Sequence, residues 1–487
     1  MRTHTSSIQL RRAMGGVTLA AVMAVTGCNF DITNPNSPTS IGPNATAAQV
    51  DAASVGLLAS LRIDYANWVL KAAIMGREGY RLDTADPRFT TELLAGPLDP
   101  SNNAFGGGQW QPEYRTIAAG NTILNVIGSA QITAAEQSGV KGFVETIQAL
   151  SFLNILNAHT EDSIPIDVNL AVGGPLAKML TNDSAFKRVV ALLDAARTDL
   201  QAAGTSFVFD PGPGFVGFKT PANFLTFNRA LMARVRAYQA SLGALPGPIV
   251  AGYGTVAGWS ACPACYDSVL TALNASFVST ASPLDLGVYN QYSTGNQDLP
   301  NALSQDPGSA INLAHPAIKD SAELQVGGAA PDLRFLTKVT TRPQPFSLAC
   351  LTSDLSWTRY PTPNAAIPII RNEELILLRA EANWFATTGN KTNAISDINF
   401  IRQTSGGLNP TVVTTASTDA QFVNELLKQR LYSLLYEGGH RWIDMRRFGR
   451  LSQVLVDRPT GCPSAGIPKD TVFSRLPINS FEVQARQ

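Results

Sequence analysis

The segment "QRLYSLLYEGGHRWIDMRRFGR", Gln429–Arg450, crowds arginines, two acids, aromatic rings and a histidine into one short run. Leu427, Leu431, Leu434 and Leu435 make an apolar stripe at helical spacing. Gly438 and Gly439 interrupt it, and Trp442, Met445 and Phe448 continue it. Glu437 stands four residues before Arg441, and Asp444 three before Arg447. Those are helix-neighbour spacings in the favourable order, acid before base. An exposed pair of this kind contributes only about 0.3–0.5 kcal/mol. The pattern predicts two structural helices laced with surface ion pairs, rather than a catalytic centre or a nucleic-acid patch. His440 has no acid–base partner beside it and reads as a polar core or hinge residue.

Outward from this segment the same helical period recurs. "TAAQVDAASVGLLASLRIDYANWVL" carries apolar residues at helical spacing, with Thr46 placed as an N-cap. "EYRTIAAGNTILNVIGSA" and "AAEQSGVKGFVETIQALSFLNILNAHT" repeat the pattern. "SAFKRVVALLDAARTDLQAAG" opens on a capping Ser184 and closes on Gly204. "PANFLTFNRALMARVRAYQASLG" opens on Pro221 and stops at Gly243. "RNEELILLRAEANWFATTGNKTNAISDINFIRQ" predicts a helical hairpin turned at Thr388 to Asn390. Antiparallel pairs with short turns and irregular spacing predict a mostly α fold of degenerate tetratricopeptide-like hairpins.

From about Ser282 to Pro368 no period is sustained, and Gly, Pro, Asn, Asp and Ser dominate. Long loops inside a compact domain are usually functional, so this stretch is expected to build a loop-rich ligand face on the scaffold.

Composition narrows the class. The chain has 487 residues, with 37 basic and 37 acidic side chains. A balanced charge argues against a general nucleic-acid binder. Hydrophobic residues make up 45 % and charged ones 15 %, which places the chain among globular proteins with a filled core.

The N-terminus, "QLRRAMGGVTLAAVMAVTGC", has a basic stretch and then an apolar run from Met14 to Val25. The run is shorter than the roughly 20 residues that span a bilayer and has the length of a signal-peptide core. It ends in "VTGC", a bacterial lipobox, so residues 1–27 are expected to be removed and Cys28 acylated. The competing reading is an ordinary secretory signal with a stray cysteine. "NFDITNPNSPTSIGPN" follows as a non-helical tether, giving 28–45 as linker, 46–281 as an N-terminal helical part and 282–487 as the loop-rich and C-terminal part. No later stretch is apolar enough to span a membrane.

Cys262, Cys265, Cys350 and Cys462 remain. An even number in an exported chain favours disulfides, most simply 262–265 and 350–462, among three possible pairings. A zinc site and free thiols stay open as alternatives. A thioredoxin-like redox role lacks its βαβ context.

Catalytic motifs are missing. The chain has no HExxH and no GxSxG, and its histidines do not cluster with acids at metal-ligand spacing. "GPGFVGFKT" has the wrong lysine register for a phosphate loop and reads as a turn into a helix. No metal, cofactor or catalytic residue is expected.

The opening segment resembles the C-terminal signature of the SusD/RagB family of outer-membrane nutrient-binding lipoproteins. Arg430, Glu437, Gly438, Arg441, Asp444, Arg447 and Gly449 fall in place; Ser433 stands where the family has Glu. "IPIIRNEELILLRAEANW", "INFIRQTSGGL", "FKTPANFLTFNRALMARVRAYQASLG" and "WQPEYRTIAAGNTILN" resemble further family segments, and "RLPINSFEV" the closing strand. The resemblance implies a tetratricopeptide-like scaffold with a loop-rich ligand face, anchored by lipid at the cell surface. It implies that the protein binds glycans or other nutrients, without catalysis, for a SusC-like TonB-dependent transporter in the outer membrane. An envelope assembly lipoprotein built on tetratricopeptide repeats and an envelope hydrolase are the other classes weighed.

A sugar offers hydroxyls at its edge and C–H groups on its faces, so its site needs flat aromatics and fixed polar groups. "REGYRLDTADPRF" with "SNNAFGGGQWQPEY" supplies Tyr80, Arg81, Asp83, Asn102, Asn103 and Trp110. "GVYNQYSTGNQD" supplies Tyr289, Asn290 and Tyr292. Trp110 also reads as a core anchor, since it stands just before a helix.

Overall fold

The computed structural model describes residues 41–160, 162–171, 173–242, 261–295 and 298–487. Cys28, the signal segment and the tether as far as Ser40 lie outside the described residues. Residues 41–487 form one compact unit. The sequence-based boundary at 281/282 is a change in texture within it.

The helices come first. α1 is Ala47–Leu61 and α2 is Tyr65–Met75. Thr46 caps α1 in a full capping box with Gln49, which satisfies orphan N–H groups at the helix start. After β1 (Gly79–Arg81) come α3 (Arg88–Ala95), α4 (Gln111–Val126) and α5 (Ala134–His159). α5 has 26 residues and opens on a Thr133–Glu136 capping box. The short strands β2 (Ile164–Pro165) and β3 (Met179–Leu180) pair with each other, and α6 (Asn182–Ala202) follows. The helix begins three residues earlier than the Ser184 cap predicts: Thr181 is the cap and accepts from the Ser184 amide. α5 and α6 approach closely at Gly142, where a Cβ would lie 2.6 Å from Leu200 Cγ and 2.8 Å from the Ala196 carbonyl.

α7 (Pro221–Leu242) and α8 (Pro263–Asn274) continue the array. Phe143, Phe207, Phe209 and Phe224 cluster between α5, α6 and α7, with ring centroids 4.6–6.1 Å apart. Cys262 and Cys265 are bonded at the start of α8.

The middle region departs from its expected description as loop. It contains β4 (Gly287–Asn290), β5 (Asn312–Ala314), α9 (Pro316–Asp320), α10 (Leu333–Lys338), β6 (Val339–Leu348), β7 (Leu351–Trp357) and β8 (Ile367–Arg371). One sheet has the order β1-β5-β7-β6, all pairs antiparallel; β4 pairs with β8. Most of these strands are too short to show a period, which is why the sequence reads as loop. Cys350, at the tip of the β6–β7 hairpin, is joined to Cys462.

α11 (Asn372–Phe385) and α12 (Lys391–Thr404) form the predicted hairpin, with Asn390 capping α12. α13 (Asp419–Ser433) and α14 (His440–Arg447) come from the opening segment. α15 (Ser480–Ala485) ends the chain. The expected closing strand is not formed: Arg475–Asn479 has no strand pairing and leads directly into α15. It is held instead by single bonds, such as the Leu476 amide to the Ala158 carbonyl at 2.8 Å.

The ion pairs of the opening segment are internal, not superficial. α13 stops at Ser433, and Tyr436 (φ 60°) and Gly439 (φ 77°) turn the chain before α14. Gly439 is required there, because a Cβ would lie 2.5 Å from Ala72 Cβ on α2. Glu437 therefore does not pair with Arg441. It points inward to Arg371 (2.8 Å), Lys338 (3.2 Å) and Arg359 (3.2 Å). Asp444 does meet Arg447, at 2.8 Å, but both are buried, and Asp444 also holds Arg430 at 2.7 Å. Arg447 forks onto Glu381 of α11, and Arg234 of α7 onto Glu374. Burial pushes the pKa of His440 down to about 4, so it sits neutral in the core, 4.0 Å from Glu374. The segment is thus a buried electrostatic hub tying α7, α10, α11 and β8 together.

Candidate functional site

The cleft that gathers Tyr289, Asn290 and Tyr292, three of the nine candidate ligand residues, opens between three elements. α1 contributes Leu58 and its C-cap Arg62, the turn Asp210–Phe215 one wall, and the chain leaving β4 the other. Its volume is about 500 Å³. The turn is anchored by Phe215, buried against Phe224 and Phe227. Gly214 lets it press onto β4: any Cβ there would lie 2.2 Å from the Tyr289 carbonyl.

β4 carries a register shift between Val288 and Tyr289, and such bulges re-aim the following side chain. Tyr289 lines the cleft half-buried, and its hydroxyl donates to the Asp285 carbonyl. Burial raises its pKa to about 12, so it stays a neutral ring with a neutral hydroxyl at physiological pH. Asn290 is buried, and its Nδ2 has no hydrogen-bond partner among the described residues. Tyr292 is buried at the cleft floor, with its hydroxyl 3.4 Å from the Arg62 carbonyl. Arg62 crosses from α1 to the far wall, donating to the Gln291 carbonyl at 2.5 Å and pairing with Asp298. Asn364 accepts from the Thr294 amide at 2.9 Å. Amides, two tyrosines, an arginine paired with Asp298 and an aspartate, Asp210, paired with Lys219 make a cleft suited to a neutral, hydroxyl-rich ligand.

The other nominated residues lie elsewhere. Tyr80 is buried on β1 against His315, ring centroids 4.9 Å apart. Trp110 is only 3 % exposed and packs on Tyr114 and His159 at 5.2 and 5.1 Å, which is its core-anchor reading. Its rim borders a separate, more apolar hollow with Tyr114, Leu170 and Leu176. Arg81 and Asp83 are spent on each other at 2.8 Å. The Arg81 and Arg88 guanidiniums lie over Phe89 and Phe105 at 4.3 and 4.2 Å, so those ring faces are occupied from within. Asn102 caps its own turn by accepting from the Ala104 amide, and the Asn103 carbonyl receives Lys71. The two nominated loop groups therefore do not share a cleft. Arg62, Asp210 and Asn364 were missed because no local pattern marks them; Arg62 is 229 residues from its partner Gln291.

Among the described residues no group of His, Cys, Asp and Glu is placed to hold a metal ion. No described helix is long and apolar enough to cross a membrane.

Comparison with known proteins agrees with this architecture. Residues 347–484 match the sequence model of the SusD family. The fold resembles a SusD-like carbohydrate binding protein from Bacteroides fragilis NCTC 9343, with 14 % identity, TM-score 0.61, and 89 % of this chain and 95 % of that one covered. It also resembles a SusD superfamily protein from Parabacteroides distasonis ATCC 8503, with 16 % identity, TM-score 0.60 and coverage of 89 % and 97 %. A laminarin binding SusD-like protein gives 16 % identity, TM-score 0.55 and coverage of 91 % and 98 %. No curated protein matches the sequence. The class is a SusD-like fold. Residues 347–484 match the SusD family by sequence, and the chain as a whole shares the fold of SusD-like proteins.

Proposed function

We propose that this protein is a binder of glycans or related hydroxyl-rich nutrients, not an enzyme, and that the Tyr289 cleft holds the ligand. The observation that carries the reading is the make-up of that cleft. A register shift in β4 precedes Tyr289, the Nδ2 of buried Asn290 has no partner among the described residues, and the Arg62–Asp298 pair cancels its own charge. A sugar ring would stack a face on Tyr289 and exchange hydroxyl hydrogen bonds with the amides. The family resemblance and the glycan-binding neighbours support the ligand class. Acylation at Cys28 and capture for a SusC-like TonB-dependent transporter complete the proposal. They place the protein at the outer membrane, with the oligosaccharide, the acyl anchor and the transporter as its contacts. Calorimetric titration of the purified protein with neutral oligosaccharides from laminarin and xyloglucan tests the reading. Saturable binding that Tyr289→Ala weakens is expected; no binding by a broad glycan panel, or unchanged affinity in the folded variant, overturns it.

A further inference from the structure

A second cleft, of about 520 Å³, lies among α8, α11 and α12 and shares no lining residue with the first. Each helix contributes a stripe at one-turn spacing: Leu270 and Asn274 from α8, Arg379 and Asn383 from α11, Asn393, Asp397 and Phe400 from α12. Stripes at that spacing on facing helices are ordinarily apolar, because they pack. Here three of the seven are asparagines and two are an arginine and an aspartate. Asn274 and Asn393 are exposed and Asn383 is half-buried, so their carboxamides are open to a ligand in the cleft. The charged groups cancel: Arg379 donates to both oxygens of Asp397, at 2.8 and 2.7 Å, and ties α11 to α12 beneath the cleft.

We infer that this cleft is a second binding subsite for a neutral polyhydroxylated ligand, an oligosaccharide chain. Each carboxamide offers one acceptor and two donors, which matches vicinal hydroxyls that both donate and accept. The half-buried ring of Phe400 supplies a face for sugar C–H groups. The cancelled charge leaves nothing to hold an anion or a cation, which sets this cleft apart from a site for acidic ligands or for a metal. The inference rests on the glycan-binding reading and adds to it a second point of attachment. A long chain held at two points gains avidity when it spans both.

The test is calorimetry on the mature protein with laminarihexaose, cellohexaose and xyloglucan oligosaccharides. Tyr289→Ala and the double variant Asn383→Ala, Asn393→Ala are compared with wild type, and thermal melts serve as the fold control. Two sites per chain are expected. The double variant weakens one of them about ten-fold and leaves the other within two-fold, and Tyr289→Ala does the reverse. Binding at one site only, lost in Tyr289→Ala and unchanged in the double variant, overturns the second subsite while the proposed function stands. No binding of any of these glycans by wild type overturns both. Retained glycan affinity in a double variant that has instead lost affinity for an unstructured peptide would assign the cleft to peptide and overturn the inference.

Discussion

Arg371 and Glu437, 66 residues apart, meet in a fork: Nε to Oε2 at 2.8 Å and Nη2 to Oε1 at 3.0 Å. Lys338 and Arg359 approach the same carboxylate, so one buried acid answers three cations. Glu437→Gln removes that answer and strands positive charge in the core. Breaking a buried pair by removing one partner costs about 3–5 kcal/mol. Urea unfolding at pH 7 is expected to show an unfolding free energy lowered by that amount, read as a lower midpoint at an unchanged slope.

Two other carboxyls carry the opposite sign. Burial raises Glu113 to about 8 and Glu78 to about 7, against roughly 4.3 in the unfolded chain. In the folded state they hold protons that the unfolded chain has released. Their contribution to stability is complete below about pH 4.3 and is lost as pH rises through 7 to 8. Stability from these groups is therefore greater at pH 5 than at pH 8. Glu113→Gln, which keeps a neutral side chain beside Asn154, is expected to flatten the slope and to exceed wild type at pH 8 by about 1 kcal/mol or more, at roughly 1.4 kcal/mol per pK unit. Denaturation at the two pH values reads it directly.

The two disulfides are unequal. Cys262–Cys265 closes three residues of chain, whereas Cys350–Cys462 closes 112. Chain-entropy reasoning assigns about 4–5 kcal/mol to a loop of the larger size and much less to the smaller. Cys350→Ser with Cys462→Ser should lower the melting temperature sharply, and the 262/265 pair of substitutions only slightly. Equal losses in thermal melts would contradict the assignment.

Trp110 and Tyr289 were nominated for the same task, but their surroundings predict different outcomes. Trp110→Ala opens a cavity beside Tyr114 and His159 and is expected to cost about 3–5 kcal/mol of stability. Tyr289→Ala is expected to leave the melting curve nearly in place and to weaken ligand by about 1–3 kcal/mol. Calorimetry and thermal melts on both variants separate the roles.

At the N-terminus, Cys28→Ser is expected to move the protein from the membrane fraction to the soluble fraction and to abolish labelling by palmitate. Wild-type protein that takes up no label would remove the anchor from the proposal.

What the sequence made legible is local. The 3.6-residue period, the cap at Thr46 and the turn at Thr388 to Asn390 mark helices, because each is settled within a turn or two of chain. Thr181 was passed over for Ser184 because both are good capping residues, and only backbone geometry separates them. Strands of three to five residues such as β1, β4, β5 and β8 carry no readable period. Glu437 illustrates the limit most plainly. Its nearest base in sequence, Arg441, suits an i,i+4 helix pair, but the φ of 60° at Tyr436 breaks the helix and turns the acid toward residues 338, 359 and 371. The Tyr289 cleft was half visible for the same reason: Tyr289, Asn290 and Tyr292 are neighbours in the chain, while Arg62 and Asn364 reach it only through the fold.

The pairing of β1 with β5 has a consequence for how the polypeptide emerges, whether from a ribosome or through a translocon. Residues 79–81 have no strand to join until residues 312–314 are out. Glu78 waits for the amide of Tyr436, and the Ala158 carbonyl near the end of α5 waits for that of Leu476. α5, α6 and α7 can pack on one another early, but β1 and the end of α5 cannot complete their contacts until the C-terminal part is present. Partners this distant in sequence slow folding, because loop closure precedes the reward of contact. The contacts that close β1 and Glu78 therefore form only after most of the chain has been made.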